Sequence, residues 1–148
     1  MNHRELEVWK LGRELAVFVY RATAPFPSDE KFGLTSQMRR AALSVPANIA
    51  EGAGRQSDAE MIRFARIALG SVAELDTFLD LSHELGFLPE EDLVFGEKRL
   101  RDLSVKLHNF IAALERRRVR EPLATYDSLL DPYETPFQDD RLPTVHQP

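Results

Sequence analysis

The chain predicts an all-α fold, an antiparallel up-and-down four-helix bundle, from three observations. Apolar residues recur every three or four positions along four long stretches, the period of a helix face. Glycine, proline and capping residues separate those stretches at short intervals, so the connections are short. No stretch alternates apolar and polar residues as a half-buried strand does. Helices joined by short loops pack as antiparallel neighbours at about 20° to one another.

The first helix is expected from about Arg4 to Ala22. Its apolar residues form two adjacent lines, Val8, Leu11, Leu15 and Phe18 beside Trp9, Gly12, Ala16, Val19 and Tyr20. The Pro-Phe-Pro of residues 25–27 ends it, because a proline pushes its predecessor out of helical geometry.

The second helix is expected from Leu34 to Glu51, stopping at Gly52 in a left-handed cap position. Pro46 lies inside it, where proline removes a backbone donor and costs roughly 3 kcal/mol. A kink over Ala42–Pro46 is therefore predicted, with the small residues Ala41, Ala42, Ser44 and Ala47 admitting a compensating neighbour. A polar stripe overlies it: Gln37, Arg40, Ser44, Asn48, Glu51 and Arg55 share one face. That stripe is either a solvated surface with a Glu51–Arg55 pair or a contact with another subunit or ligand.

Ser57 and Glu60 open the third helix in the S-x-x-E arrangement, in which each side chain accepts from a free backbone donor. The helix runs to about Leu85 and stops at Gly86, although Gly70 in its middle costs up to about 1 kcal/mol against alanine. Met61, Ala65, Ala68, Val72, Leu75 and Leu79 form its core line, with Phe64, Ile67, Phe78 and Leu81 near a second. Pro89, Glu90, Glu91 and Asp92 start the fourth helix, where proline is tolerated and negative charge suits the dipole. Leu100, Leu103, Leu107, Phe110, Ile111 and Leu114 give it a core face, and Arg116, Arg117 and Arg118 suit its C-terminal end.

The apolar arcs of the first and third helices are wider than one buried stripe requires. The surplus predicts a second buried surface, most simply contact with further copies of the chain; the other reading is that a thick bundle core absorbs it.

Two segments differ in charge. Residues 1–119, the bundle, carry 17 Lys and Arg against 18 Asp and Glu, whereas residues 120–148 carry 2 against 6. Five of the nine prolines fall in the latter, which is expected to be an extended or disordered acidic extension. With no cysteine, the chain has neither a disulfide framework nor thiolate metal ligands. Charges interrupt the apolar residues of the N-terminus, and no run reaches membrane-spanning length, so a soluble, cytoplasmic protein without membrane association is expected.

Catalytic and cofactor motifs are not found. The EGAGR of residues 51–55 follows a helix and lacks the phosphate-cradling GxxxxGK[ST] pattern, and no G-x-S-x-G nucleophile motif occurs. Asp80 and His83 match half of a carboxylate-bridged dimetal site, but His108 has Val105 where the second half needs a carboxylate. No enzymatic activity, metal or cofactor is expected.

Three blocks carry a family resemblance: LEVWK at residues 6–10, SVPANIAEGAGR at 44–55, and the run from Ser57 through RFARIALGSVAELDTFL to the glycine of ELGFL. In this order and spacing they resemble the four-helix bundle proteins of the 23S rRNA intervening sequence type, over roughly Leu6 to Leu114. The family also looks related to accessory variability proteins of diversity-generating retroelements, which bind nucleic acid and a reverse transcriptase. The resemblance implies a homopentamer without known enzymatic activity. It marks Trp9, Pro46, Asn48, Glu51, Gly52, Gly70 and Ser71 as structural-motif or subunit-contact positions.

A nucleic-acid partner, RNA or DNA, is also implied only by that resemblance. Phosphate binding needs concentrated positive charge, and the pI is about 5.4. The candidates are local: Arg39, Arg40 and Arg55 on the second helix, Arg63 and Arg66 on the third, then Arg116–Arg118, multiplied around a ring; the alternative, which the pI favours, is an ordinary salt-bridged surface with Asp58, Glu60 and Glu115. The reading is thus a non-enzymatic homo-oligomeric binding or scaffold protein, for which the resemblance, and not the charge pattern, implies association with nucleic acid or ribonucleoprotein. The alternative is a scaffold for a partner protein that binds no nucleic acid.

Overall fold

The computed structural model describes the backbone of residues 1–129 and the side chains of residues 1–120. Four α-helices, α1 (Glu7–Thr23), α2 (Leu34–Gly54), α3 (Asp58–Glu84) and α4 (Glu90–Leu129), account for most of it, with short 3-10 turns at His3–Glu5 and Ser28–Glu30. No strand occurs among the described residues.

Each helix packs on its sequence neighbours, and α4 closes the bundle against α1, while among the described residues the backbones of the diagonal pairs stay apart. The seams run antiparallel. Lys106 pairs with Glu7 and Phe95 stacks near Phe18, and Arg39 reaches Thr23 while Pro46 lies against Gly12. The core is one cluster threaded by Leu15, Val19, Met38, Ile49, Leu75 and Leu107, each at most 2% exposed. Burying side chains of this size contributes about 1.5–3 kcal/mol apiece before entropy is counted.

The interior proline of α2 is accommodated by α1. A Cβ on Gly12 would stand 3.0 Å from Val45 Cγ1 and 3.4 Å from the Pro46 nitrogen. The missing side chain of Gly12 is what lets α1 approach the proline, so Gly12 compensates for Pro46 more directly than the small residues on α2 itself. Helix α2 also runs past Glu51 to Gly54. Gly52 is no cap: it is buried in the α2–α3 seam, where a Cβ would meet Phe64 Cβ at 2.9 Å and the Met61 Cα at 3.2 Å. The chain leaves the helix instead through Gln56, at φ 55°.

Ser57 has the extended geometry of an N-cap, but its side chain makes no capping bond. Glu60 turns to Arg63 instead, with paired bonds of 3.1 and 3.0 Å, so the expected reciprocal cap is replaced by an ion pair one turn along. Gly86 (φ 78°) supplies the expected stop. His83 Nδ1 lies 2.9 Å from the Leu88 carbonyl and ties the α3–α4 turn.

Helix α4 continues to Leu129, beyond the end expected at Arg116–Arg118. The first ten residues of the predicted extension are thus helical in backbone, Pro122 included; the helix formers Glu121, Leu123 and Ala124 flank that proline. The remainder, residues 130–148, lies outside the described residues.

Candidate subunit-contact face and the arginine surface

The polar stripe of α2 is satisfied from within the protomer. Arg40 donates to Gln37 Oε1 at 2.7 Å, and Arg55 donates twice to Glu51 Oε1, at 3.1 and 2.7 Å. Between those pairs, Asn48 donates to the Ser44 carbonyl (2.8 Å) and hydroxyl (2.9 Å), and Ser71 of α3 donates to the same hydroxyl at 2.8 Å. Asn48 and Ser71 therefore link α2 to α3 through Ser44, a contact that helix-face counting alone does not reveal.

The arginines proposed for nucleic acid are similarly engaged. Arg39 lies 4.6 Å from the Tyr20 ring and donates through Nε to Thr23 Oγ1 at 2.9 Å, tying the end of α1 to α2. Arg63 pairs with Glu60 and lies 4.4 Å from the Phe64 ring. Arg66 pairs with Glu115 of α4 at 2.6 Å. Arg117 binds both carboxylate oxygens of Asp58, joining the start of α3 to the far part of α4. That bond, first among the causes, holds the Asp58 carboxyl below its usual range; Arg63 does the same for Glu60. Each carboxylate cancels charge that a phosphate would otherwise meet, so these arginines do not form a bare basic face.

The outer side of α1 differs. Trp9, Ala16, Val17 and Tyr20 of α1 and Leu43 and Pro46 of α2, together with Arg13 and Arg21, line a largely apolar groove of about 480 Å³. Val17, Tyr20 and Leu43 are 39, 40 and 48% exposed. Trp9, half-buried, is held edge-on by His3 at 5.1 Å, with Arg4 5.8 Å from its ring. Two of the positions marked by resemblance, Trp9 and Pro46, thus meet in one concave apolar surface.

Gly70 lies on the exposed side of α3, and a Cβ there would meet nothing within 4 Å. Ile67, one turn away, is 42% exposed. Nothing among the described residues requires glycine at this position.

No group of three or more metal-ligating side chains gathers among the described residues. No described helix is long and apolar enough to cross a membrane.

The sequence profile of 23S rRNA-intervening sequence proteins matches residues 4–109. Among solved structures, a protein of unknown function from the S23 ribosomal protein family of Bacteroides thetaiotaomicron VPI-5482 is similar, with 24% identity and a TM-score of 0.63. The likeness covers 70% of this chain and 97% of that one, and it concerns the fold. No curated protein matches the chain.

Proposed function

The chain belongs to the 23S rRNA-intervening sequence protein family, and we propose that it acts without catalysis, as a homo-oligomeric scaffold that binds other macromolecules through its assembled surface. The observation that carries this reading is the groove of Trp9, Val17, Tyr20, Leu43 and Pro46. Large apolar side chains gathered in one exposed concave surface favour burial by a partner, and the family resemblance makes a second copy of the chain that partner. Open space at Gly70 beside the exposed Ile67 supports the same reading, since it admits close approach of another backbone.

The groove and the Gly70 surface lie on different helices. Contacts between unlike surfaces are head-to-tail and give a ring where the rotation closes and a filament where it does not; the family resemblance favours a ring of five. In this reading Pro46 bends α2 over Ala42–Pro46 and shapes the groove that receives the neighbour.

Between the two partner classes, the geometry favours protein. Arg55, Arg63 and Arg66 each face a carboxylate, and Arg39 is tied to α1. Nucleic-acid association, including the kinship with accessory variability proteins, is supported by resemblance alone. Light scattering at micromolar concentration tests the assembly: several times 16.9 kDa is expected, and a mass of 16.9 kDa at all concentrations rejects it. A salt-titrated assay with RNA, single-stranded and duplex DNA tests the partner class. No binding is expected at 50 mM salt, whereas steeply salt-dependent binding would return nucleic acid to first place.

A further inference from the structure

A second groove, of about 540 Å³, flanks α1 on the side of α4. Val17, Phe18 and Phe95 give it an apolar floor, with the two phenylalanine rings 4.9 Å apart and Phe95 44% exposed. Arg13, Arg21 and Arg99 stand around it, opposed by a single carboxylate, Glu14. Arg13 and Arg21 have no hydrogen bond, ion pair or ring contact among the described residues, and Arg99 has only the Phe95 ring, 5.0 Å away. This is unlike α2 and α3, where Arg55, Arg63 and Arg66 each hold a carboxylate.

The complementary chemistry lies in the chain itself. Residues 131–142 read DPYETPFQDDRL: four carboxylates, one arginine, and aromatic residues at Tyr133 and Phe137. Pro132 and Pro136 restrict the backbone and so reduce the entropy lost on docking. This segment lies beyond residues 4–109, the part matched by the family profile.

We propose that residues 131–142 of one copy dock in the α1–α4 groove of another, with Tyr133 and Phe137 against Phe18 and Phe95 and the carboxylates on Arg13, Arg21 and Arg99. The reach of the chain selects another copy. Along α4, Leu129 is about 50 Å from Phe95 at 1.5 Å per residue. From Leu129 to Phe137 a fully extended chain spans at most about 29 Å. A protomer's own Phe137 therefore falls short of its own groove, so an occupant from this chain must come from another copy, and the inference rests on the assembly proposed above.

The full-length chain has no cysteine, so introduced thiols are unambiguous probes. Glu14→Cys and Thr135→Cys in one chain, oxidised and run on a denaturing gel without reductant, are expected to give a ladder of covalent species beyond the dimer. Either single variant gives at most a dimer. Adding Arg13→Glu, Arg21→Glu and Arg99→Glu should remove the ladder, and adding Asp131→Lys, Glu134→Lys, Asp139→Lys and Asp140→Lys to that variant should restore it. Absence of the ladder, its survival of the arginine reversal, or a fast-migrating internally linked monomer each overturns the proposal. Without a ladder, binding of a single-stranded RNA oligonucleotide that is lost on the arginine reversal assigns the groove to nucleic acid instead. Light scattering on the wild-type protein separates the two readings: an oligomer without a ladder defeats tail docking alone, whereas a monomer defeats the assembly itself.

Discussion

The polar stripe of α2 and the outer face of α1 both look like anomalies of a simple bundle, yet they are satisfied in opposite ways. Along α2, Gln37–Arg40, Ser44–Asn48–Ser71 and Glu51–Arg55 close every conspicuous polar group within one chain. On α1, Val17 and Tyr20 stay 39 and 40% exposed, and Arg13 and Arg21 find no partner among the described residues. A helix face whose polar groups are already paired gains little from a partner, because docking would exchange existing bonds for equivalent ones. A face holding exposed apolar area and unpaired charge gains from both.

The largest effect should come from the α1–α2 groove. Val17→Glu with Leu43→Glu places charge on exposed apolar positions, and weakening of assembly by about a hundredfold or more is expected from burying unpaired charge at an interface, read by light scattering. Helicity by circular dichroism should be unchanged. An unaltered mass would remove this groove from the subunit contact and break the contrast between the two faces.

Next comes a contrast between two glycines of the α2–α3 region. Gly52→Leu forces a side chain into backbone already 3.2 Å from where its Cβ would lie, and a loss of about 3 kcal/mol or more is expected in urea unfolding. Gly70→Ala meets open space and should raise helix stability by about 1 kcal/mol while weakening assembly. Gly70→Ala that leaves the mass unchanged would show that this surface is not a contact.

Arginines on the engaged faces should rank by what they hold. Arg39→Gln removes the bond to Thr23, whose hydroxyl is 1% exposed as a residue, together with the Tyr20 stacking, and should cost about 1–2 kcal/mol. Arg55→Gln breaks an exposed pair and should cost under about 0.5 kcal/mol. Equal losses would mean that Arg39 is a surface residue like the rest.

The smallest effect is the Asp58–Arg117 pair. Because the folded-state carboxyl is held below its ordinary value of 3.8 by the bond to Arg117, its contribution is full above that value and is lost as pH falls through the lower folded value. Asp58→Asn should therefore cost a few tenths of a kcal/mol at pH 7 and progressively less as pH falls below 3.8, measured by thermal unfolding. A penalty independent of pH would assign Asp58 a packing role rather than an electrostatic one.

Much of the bundle was legible because helix periodicity and punctuation are local properties. The starts of α2, α3 and α4 and the stop at Gly86 followed from them, and so did the Glu51–Arg55 pair at helical spacing. What depended on a second helix was not legible. Gly52 resembles a cap in sequence, since only the approach of Phe64 and Met61 distinguishes a close-packed glycine from a terminal one. Gly12 was readable as one member of an apolar line, but not as the space that accepts Pro46. The partners Arg66–Glu115 and Asp58–Arg117 are separated by long stretches of chain, so a salt-bridged surface was readable in the sequence, but not which carboxylate each arginine meets between α3 and α4.

The central claim, that the outer face of α1 is covered in the assembled protein while the α2 stripe stays in water, is tested most directly by thiol accessibility. Val17→Cys and Glu51→Cys each give the only cysteine in the chain, and the rate of alkylation at micromolar protein reports how far each position is covered. The account predicts labelling at position 17 at least about tenfold slower than at position 51, with the two rates converging on dilution below the assembly concentration. Equal rates at both positions at every concentration would contradict it.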